Sequence, residues 1–149
     1  MKPLLTLPLA LLVATSAFAE DDHQRDKPVP GPNGGRVIEA AGHHAEFFVR
    51  PDRKVLITFY NHDMKPQPPA EQQISAIAEA PAGKAKLEFE KTADAFVSTT
   101  PLPEGDGYRI VLQIRPDAAA KPQNIRINFD TKVCGECNRA EYACVCSHG

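Results

Sequence analysis

Apolar and polar residues alternate with a period of two along most of the chain that follows residue 35. In the clearest run, 84–90, Ala85, Leu87 and Phe89 alternate with lysines and glutamates. The runs 108–114 and 125–129 show the same pattern. Because successive side chains of a strand point to opposite faces, this alternation predicts strands with one buried face and one solvated face.

Two further runs, 43–50 and 55–59, extend this pattern into the N-terminal half. The inward face of the first run is predicted to carry His43, Ala45, Phe47 and Val49. His44 and Glu46 then fall on the opposite, solvated face, about 7 Å apart along the strand. The alanine-rich run 72–80 could form a helix, but the alternation of its apolar residues favours a strand.

Turn-forming residues separate the runs at short intervals. Proline, glycine or aspartate occurs at 51–53, 63–69, 81–83 and 103–107. Prolines are rare within the runs, as a strand ladder requires, because proline donates no backbone hydrogen bond. About eight short strands at this spacing predict an all-β domain over 36–131, either an antiparallel β-sandwich or a small barrel.

The first nineteen residues have the features of a cleavable secretory signal peptide. Lys2 provides a positive charge, residues 4–14 form a short apolar run, and Ala17 and Ala19 are the small residues of a cleavage site. The apolar run is shorter than the roughly 20 residues that a membrane span needs. We therefore expect cleavage after Ala19, a periplasmic or secreted location, and a mature chain with no membrane span.

The chain that remains after this cleavage fits one domain with a leader. It keeps 130 of the 149 residues, with 16 basic and 19 acidic residues, because Lys2 is the only charged residue removed. A net charge of −3 argues against a nucleic-acid partner, which requires a basic surface. Residues 20–35 contain three prolines and a Gly-Gly pair, which predict a flexible leader.

All four cysteines lie in residues 132–149, the cysteine segment. The potential metal ligands there are Cys134, Cys137, Cys144, Cys146 and His148. The C-x2-C pair places two sulfurs on a tight turn, in which the small Gly135 is expected to let the chain curl, and the later residues return further ligands. Zn2+ is bound tetrahedrally by such a set, and Cu+ accepts the same thiolates. The pattern predicts a site for Zn2+ or Cu+.

Two alternatives remain open for the cysteine segment. Two disulfides, in any of three pairings, would staple it into a loop, and an exported location permits them. A redox-active C-x2-C pair usually accompanies alternating strands and helices, and this chain shows no such pattern. His148 favours the metal site, because a disulfide-linked loop has no use for an imidazole ligand.

A second group of polar residues could bind another ion. His44, Glu46 and His62 offer imidazole and carboxylate ligands on a predicted strand and just after another. The alternative is that they are ordinary residues of a solvated strand face and a loop. The chain shows neither a nucleophile elbow, nor an H-E-x-x-H motif, nor a phosphate loop, and we do not expect an enzyme.

Two short stretches, N-G-G-R-V-I-E at 33–39 and G-H-H-A-E-F-F-V at 42–49, resemble a known family. They are similar to the small β-domain of periplasmic adaptor subunits of heavy-metal efflux pumps of the resistance-nodulation-division type. The first histidine of the family pattern is Asn33 here, and the proline loop at 63–66 is also similar. The resemblance covers about residues 33–130, and implies a stand-alone domain associated with metal efflux; the cysteine segment lies outside the family pattern.

These observations lead to two hypotheses. The preferred one is an exported metal-binding protein that buffers, carries or senses zinc or copper, with a metal efflux adaptor or another periplasmic protein as a possible partner. The other is a β-domain that is stapled by disulfides and binds a protein without metal.

Overall fold

The computed structural model describes residues 29–40 and 42–146, which form nine strands and one 3₁₀ turn. The strands are β1 (Arg36–Ala40), β2 (His43–Val49), β3 (Val55–Tyr60), β4 (Pro66–Gln67), β5 (Gln73–Ala80), β6 (Gly83–Lys91), β7 (Phe96–Ser98), β8 (Tyr108–Arg115) and β9 (Gln123–Phe129), and the 3₁₀ turn is Glu141–Ala143. The all-β prediction is confirmed.

Within these residues no helix has the length and apolar character to cross a membrane. The predicted signal peptide, 1–19, and His148 lie outside the described residues.

The strands form one antiparallel sheet in the order β1-β2-β3-β7-β6-β5-β8-β9, with β4 paired to β3. Strand β6 carries the sheet from one layer to the other, because its residues 83–88 pair with β5 and its residues 89–91 pair with β7. The two layers expected of a sandwich are therefore halves of one curled sheet, which is nearly closed into a barrel. Where the two edge strands approach, the side-chain amide of Gln123 donates a hydrogen bond to the carbonyl oxygen of Glu39, at 2.8 Å.

The core lies inside the curled sheet and contains most of the predicted inward residues. Five of its wholly buried side chains are Phe47, Ile57, Leu87, Leu112 and Phe129. Burial of each such side chain contributes roughly 1.5–3 kcal/mol to folding. One inward assignment is wrong: His43 is exposed, because it begins β2 beside the hairpin turn at Gly42, where the strand reaches solvent.

Residues 29–35 form a turn that packs against β2. The N–H of Gly34 donates a hydrogen bond to the carbonyl oxygen of Gly31 at 3.0 Å, and both Gly31 and Gly35 are buried. The prediction of a flexible leader is wrong for this part of residues 20–35. The reason is a buried carboxylate on β2 that binds the turn, as described below.

Candidate metal centre

The cysteine segment leaves β9 and folds back on itself at once. The N–H of Cys134 donates a hydrogen bond to the carbonyl oxygen of Arg139 at 2.7 Å. The N–H of Asn138 donates to the carbonyl oxygen of Cys134 at 3.0 Å. Asn138 has a φ of 54°, a left-handed conformation that asparagine adopts more readily than most residues. These bonds hold the C-x2-C pair in one tight turn.

The tight turn does not depend on Gly135. A Cβ atom placed on Gly135 would meet no atom within 4 Å. The left-handed backbone conformation falls on Asn138 instead. The expectation that Gly135 lets the chain curl is therefore wrong, although the curl itself is present.

A single 3₁₀ turn, Glu141–Ala143, returns the chain toward the first two cysteines. The N–H of Glu141 donates a hydrogen bond to the carbonyl oxygen of Lys132 at 2.8 Å. The N–H of Tyr142 donates to the carbonyl oxygen of Asp130 at 3.0 Å. The returning chain is thereby fixed to the end of β9, and Cys144 and Cys146 follow directly.

The four cysteine sulfurs converge. Each lies within 4.8 Å of the other three. The Sγ atoms of Cys134 and Cys146 are 3.9 Å apart, and those of Cys137 and Cys144 are 3.6 Å apart. Four thiolates about 2.3 Å from a tetrahedral zinc ion have sulfurs about 3.8 Å apart, whereas a disulfide bond is about 2.05 Å long. No disulfide joins the four cysteines in this structure, and their sulfurs are close enough together to hold a metal ion.

The pKa values of the cysteine thiols are shifted in different directions. A hydrogen bond from the N–H of Val145, chiefly, lowers the pKa of Cys137 to about 6. The N–H of Cys146, 3.4 Å from the Cys144 sulfur, lowers the Cys144 pKa, but burial and the adjacent Cys134 and Cys137 outweigh it and raise the pKa. Burial, followed by the neighbouring sulfurs, raises the pKa of Cys146. One thiolate forms readily, and a cation among the sulfurs would favour the others.

Tyr142 anchors the cysteine segment in the core of the sheet. Its side chain and that of Ala143 are buried. The Tyr142 ring packs against Phe47 and Phe129, with centroids 6.0 and 5.6 Å away. Its hydroxyl oxygen accepts a hydrogen bond from the N–H of Val49 at 3.1 Å. Sequence reasoning missed Tyr142, because it stands among cysteines with no apolar periodicity to mark it.

Glu46, a candidate ligand of the second ion, is wholly buried and bound by protein donors. Its carboxylate accepts hydrogen bonds from the N–H of Asn33 at 2.9 Å, the N–H of Gly35 at 2.7 Å and the hydroxyl of Tyr60 at 2.8 Å. Glu46 points away from the core, as the alternation predicts, but the turn at 29–35 covers it. The prediction of a solvated Glu46 is wrong. Burial, and then the Glu46 carboxylate, raises the pKa of Tyr60.

His44 and His62, the other two candidates, lie beside each other. Their ring centroids are 5.8 Å apart, with an interplanar angle of 85°. Both line a pocket of about 270 Å³, together with Glu39, His43 and Gln123. The structure thus brings the two histidines together and places Glu46 in a separate hydrogen-bonded network.

The fold and the cysteine geometry define an all-β protein with a C-terminal group of four cysteines that could hold a metal ion. Comparisons with protein-family models, curated proteins and solved structures find no match to this chain. The functional argument therefore rests on the residues of the chain itself.

Proposed function

We propose that this chain is an exported metal-binding protein that holds zinc, or Cu+ as the other thiophilic candidate, at Cys134, Cys137, Cys144 and Cys146. Its role is to buffer or carry the ion, or to assist a metal efflux system. His148 lies close enough in sequence to Cys146 to replace one thiolate as a ligand. The sulfurs would act as thiolates, since the thiolate is the form that binds a metal.

The convergence of the four sulfurs is the observation that carries this proposal. The sulfur–sulfur distances of 3.6 and 3.9 Å lie on either side of the ~3.8 Å of a tetrahedral zinc–thiolate site. Oxidation of the four thiols to two disulfides, by an external oxidant, would shorten the paired sulfur–sulfur distances to about 2.05 Å and remove the thiolate ligands. A metal also gives the short segment a source of order, because structural zinc contributes on the order of 10 kcal/mol to the folding of small peptides.

Export and the association with efflux rest on other observations. Residues 1–19 have the charge, apolar run and small-residue site of a signal peptide. The stretches at 33–39 and 42–49 resemble the β-domain of metal efflux adaptors. Cell fractionation, with mass determination of the mature chain, tests export: a periplasmic chain that begins at Glu20 supports it, and a cytoplasmic chain that keeps Met1 contradicts it.

Metal content and thiol state together test the metal site. The full chain is purified without chelator, and its metal is quantified while its thiols are counted under denaturing conditions. We expect one zinc or copper ion and four reactive thiols per chain. Paired substitutions, Cys134→Ser with Cys146→Ser, should abolish tight binding. Val133→Thr is the matched control, because Val133 is 64% exposed and adjacent to Cys134 but offers no ligand.

Two outcomes separate the hypotheses. A metal-free protein whose mass is four hydrogens lower, with no reactive thiol, is the disulfide-stapled module and overturns the metal proposal. A metal content that is unchanged in the paired serine variant places the ion elsewhere and also overturns it. The identity of the copurified ion then distinguishes zinc from Cu+.

A further inference from the structure

The pocket beside His44 lies at the end of the sheet where β1, β2 and β9 meet. It is lined by Glu39 from β1, His43 and His44 from β2, His62 from the loop after β3, and Gln123 from β9. The His44 and His62 rings approach each other with centroids 5.8 Å apart. Two imidazoles bound tetrahedrally to one ion through nitrogens at 2.0–2.1 Å have centroids about 5 Å apart. The observed separation is larger than this value, so the rings have to turn toward each other to share an ion.

The Nδ1 atom of His44 is buried and makes no hydrogen bond within residues 29–40 and 42–146. A buried polar nitrogen without a partner is uncommon in folded proteins, because it loses its bond to water and gains none in return. A bound ion is one way to satisfy such an atom. This nitrogen is therefore an unused ligand atom of His44, and because it is shielded from solvent the ring has to turn before an ion can reach it.

The surrounding fold sets the positions of both histidines. His44 pairs with Tyr60 in the β2–β3 ladder, and with Glu39 in the β1–β2 ladder. The loop that carries His62 is held by the side-chain oxygen of Asn61, which accepts hydrogen bonds from the N–H groups of Asp63 and Lys65 at 2.9 and 3.0 Å. These contacts come from ladders and an asparagine turn, so neither histidine depends on an ion for its position.

We propose that His44 and His62 bind a divalent transition-metal ion of borderline softness, such as Zn2+, Ni2+ or Cu2+, at a second site. Imidazole is a preferred ligand of these ions. Glu39 lies directly across from His44, on the same face of the sheet, and also lines the pocket. Two imidazoles leave coordination positions for water, which makes the site open and the ion exchangeable.

This second site is separate from the cysteine site. His44 lies at the start of β2, and Val49, which bonds to Tyr142, lies at its end. Five residues of strand rise place these positions about 17 Å apart. The two sites differ in chemistry as well, because one offers thiolates and the other imidazoles. Each can therefore be removed without the other.

Titration of the reduced full chain with Co2+ under anaerobic conditions tests the proposal. The first equivalent should give the intense thiolate-to-metal charge-transfer absorption of the cysteine site. The second should add weak visible bands without that absorption. His62→Gln and His44→Gln should each lower the affinity for the second Co2+ equivalent by more than about 100-fold. Loss of a group that only supports a ligand typically lowers metal affinity by about 10- to 100-fold. His62 is exposed, so its substitution leaves the core intact.

Glu90→Gln is the control, because Glu90 is an exposed potential ligand on β6 and does not line the pocket. It should keep both equivalents. A second, independent readout is the ring NMR signals of His44 and His62, which should shift together when zinc is added beyond one equivalent. A second equivalent that persists in both histidine variants, or that Glu90→Gln also removes, overturns the second site. A first equivalent without charge-transfer absorption overturns the cysteine site alone.

Discussion

Tyr142 packs edge-on against Phe47, with ring centroids 6.0 Å apart and an interplanar angle of 83°. Phe47 is wholly buried on β2, whereas Tyr142 stands two residues before Cys144. The cysteine segment therefore shares side chains with the core of the sheet. Order at the sulfurs and stability of the fold are coupled through this contact.

Substitution of Tyr142 should destabilise the whole domain. Tyr142→Phe keeps the ring but leaves the N–H of Val49 without its acceptor, at a cost of about 1–3 kcal/mol. Tyr142→Ala removes the ring from a buried site, at a cost of about 3–5 kcal/mol. Urea unfolding of the metal-loaded protein measures both. If Tyr142→Ala unfolds at the midpoint of the unsubstituted protein, the cysteine segment is not part of the core.

Removal of metal should lower the free energy of unfolding of the entire domain. At a free ion concentration a thousand times Kd, binding to the folded state stabilises it by about 4 kcal/mol. Thermal unfolding with and without chelator measures the loss. The Cys144→Ser, Cys146→Ser double variant is the control, and chelator should lower its stability far less, because the variant keeps only the histidine site. An unsubstituted protein that loses its metal but unfolds at the same temperature would show that binding and folding are uncoupled.

The strands could be predicted because their signal is local. In β8, Ile110, Leu112 and Ile114 are wholly buried and alternate with half-buried or exposed residues, as the pattern along the chain indicates. The same period placed Glu46 on the face away from the core. It could not show that the face is covered, because the cover comes from a different stretch of the chain. The period-two pattern predicts the direction in which a side chain points, whereas tertiary contacts decide whether that face of the strand is exposed to solvent.

In the candidate sites, too, the local features could be predicted from the sequence and the contacts between distant residues could not. Four cysteines in thirteen residues, 134–146, are visible in the sequence, and the structure brings their sulfurs together. The hydrogen bond between Val49 and Tyr142 joins residues 93 positions apart in the sequence, so no local pattern can predict it. His44 and His62 were both visible as polar residues near strand ends. The structure places these two histidines beside each other and not beside Glu46, because the ladder register sets His44 opposite Tyr60, close to the loop that carries His62. This register cannot be read from the sequence.

Alanine at Gly31 should destabilise the protein. A Cβ atom there would lie 2.5 Å from the Glu46 Cδ atom and 2.8 Å from the carbonyl oxygen of Gly35. The turn at 29–35 would have to move off the buried carboxylate, and such overpacking costs about 1–3 kcal/mol. Urea unfolding measures the loss. Gly135→Ala is the matched control, because a Cβ there meets no atom within 4 Å. Equal stability of the two alanine variants would contradict this account of the turn.

The three tyrosines should resist ionisation as long as the protein is folded. Burial is the largest cause that raises the pKa of Tyr60, Tyr108 and Tyr142 above the usual value of about 10. The folded state therefore favours the neutral phenol. The stability that this provides is fully present below pH ~10 and declines above it, because the unfolded chain then loses protons that the folded chain keeps.

A spectrophotometric pH titration measures this effect cleanly, since the chain has three tyrosines and no tryptophan. The tyrosinate absorbance of the folded protein should rise at a higher pH than that of the urea-unfolded chain. This rise should coincide with the loss of the β-sheet circular dichroism signal. Tyr142→Phe should remove one third of the amplitude. Tyrosinate that forms near pH ~10 while the circular dichroism is unchanged would mean that these phenols are reached by solvent in the folded state. The anchoring of the cysteine segment by a buried Tyr142 would then be wrong.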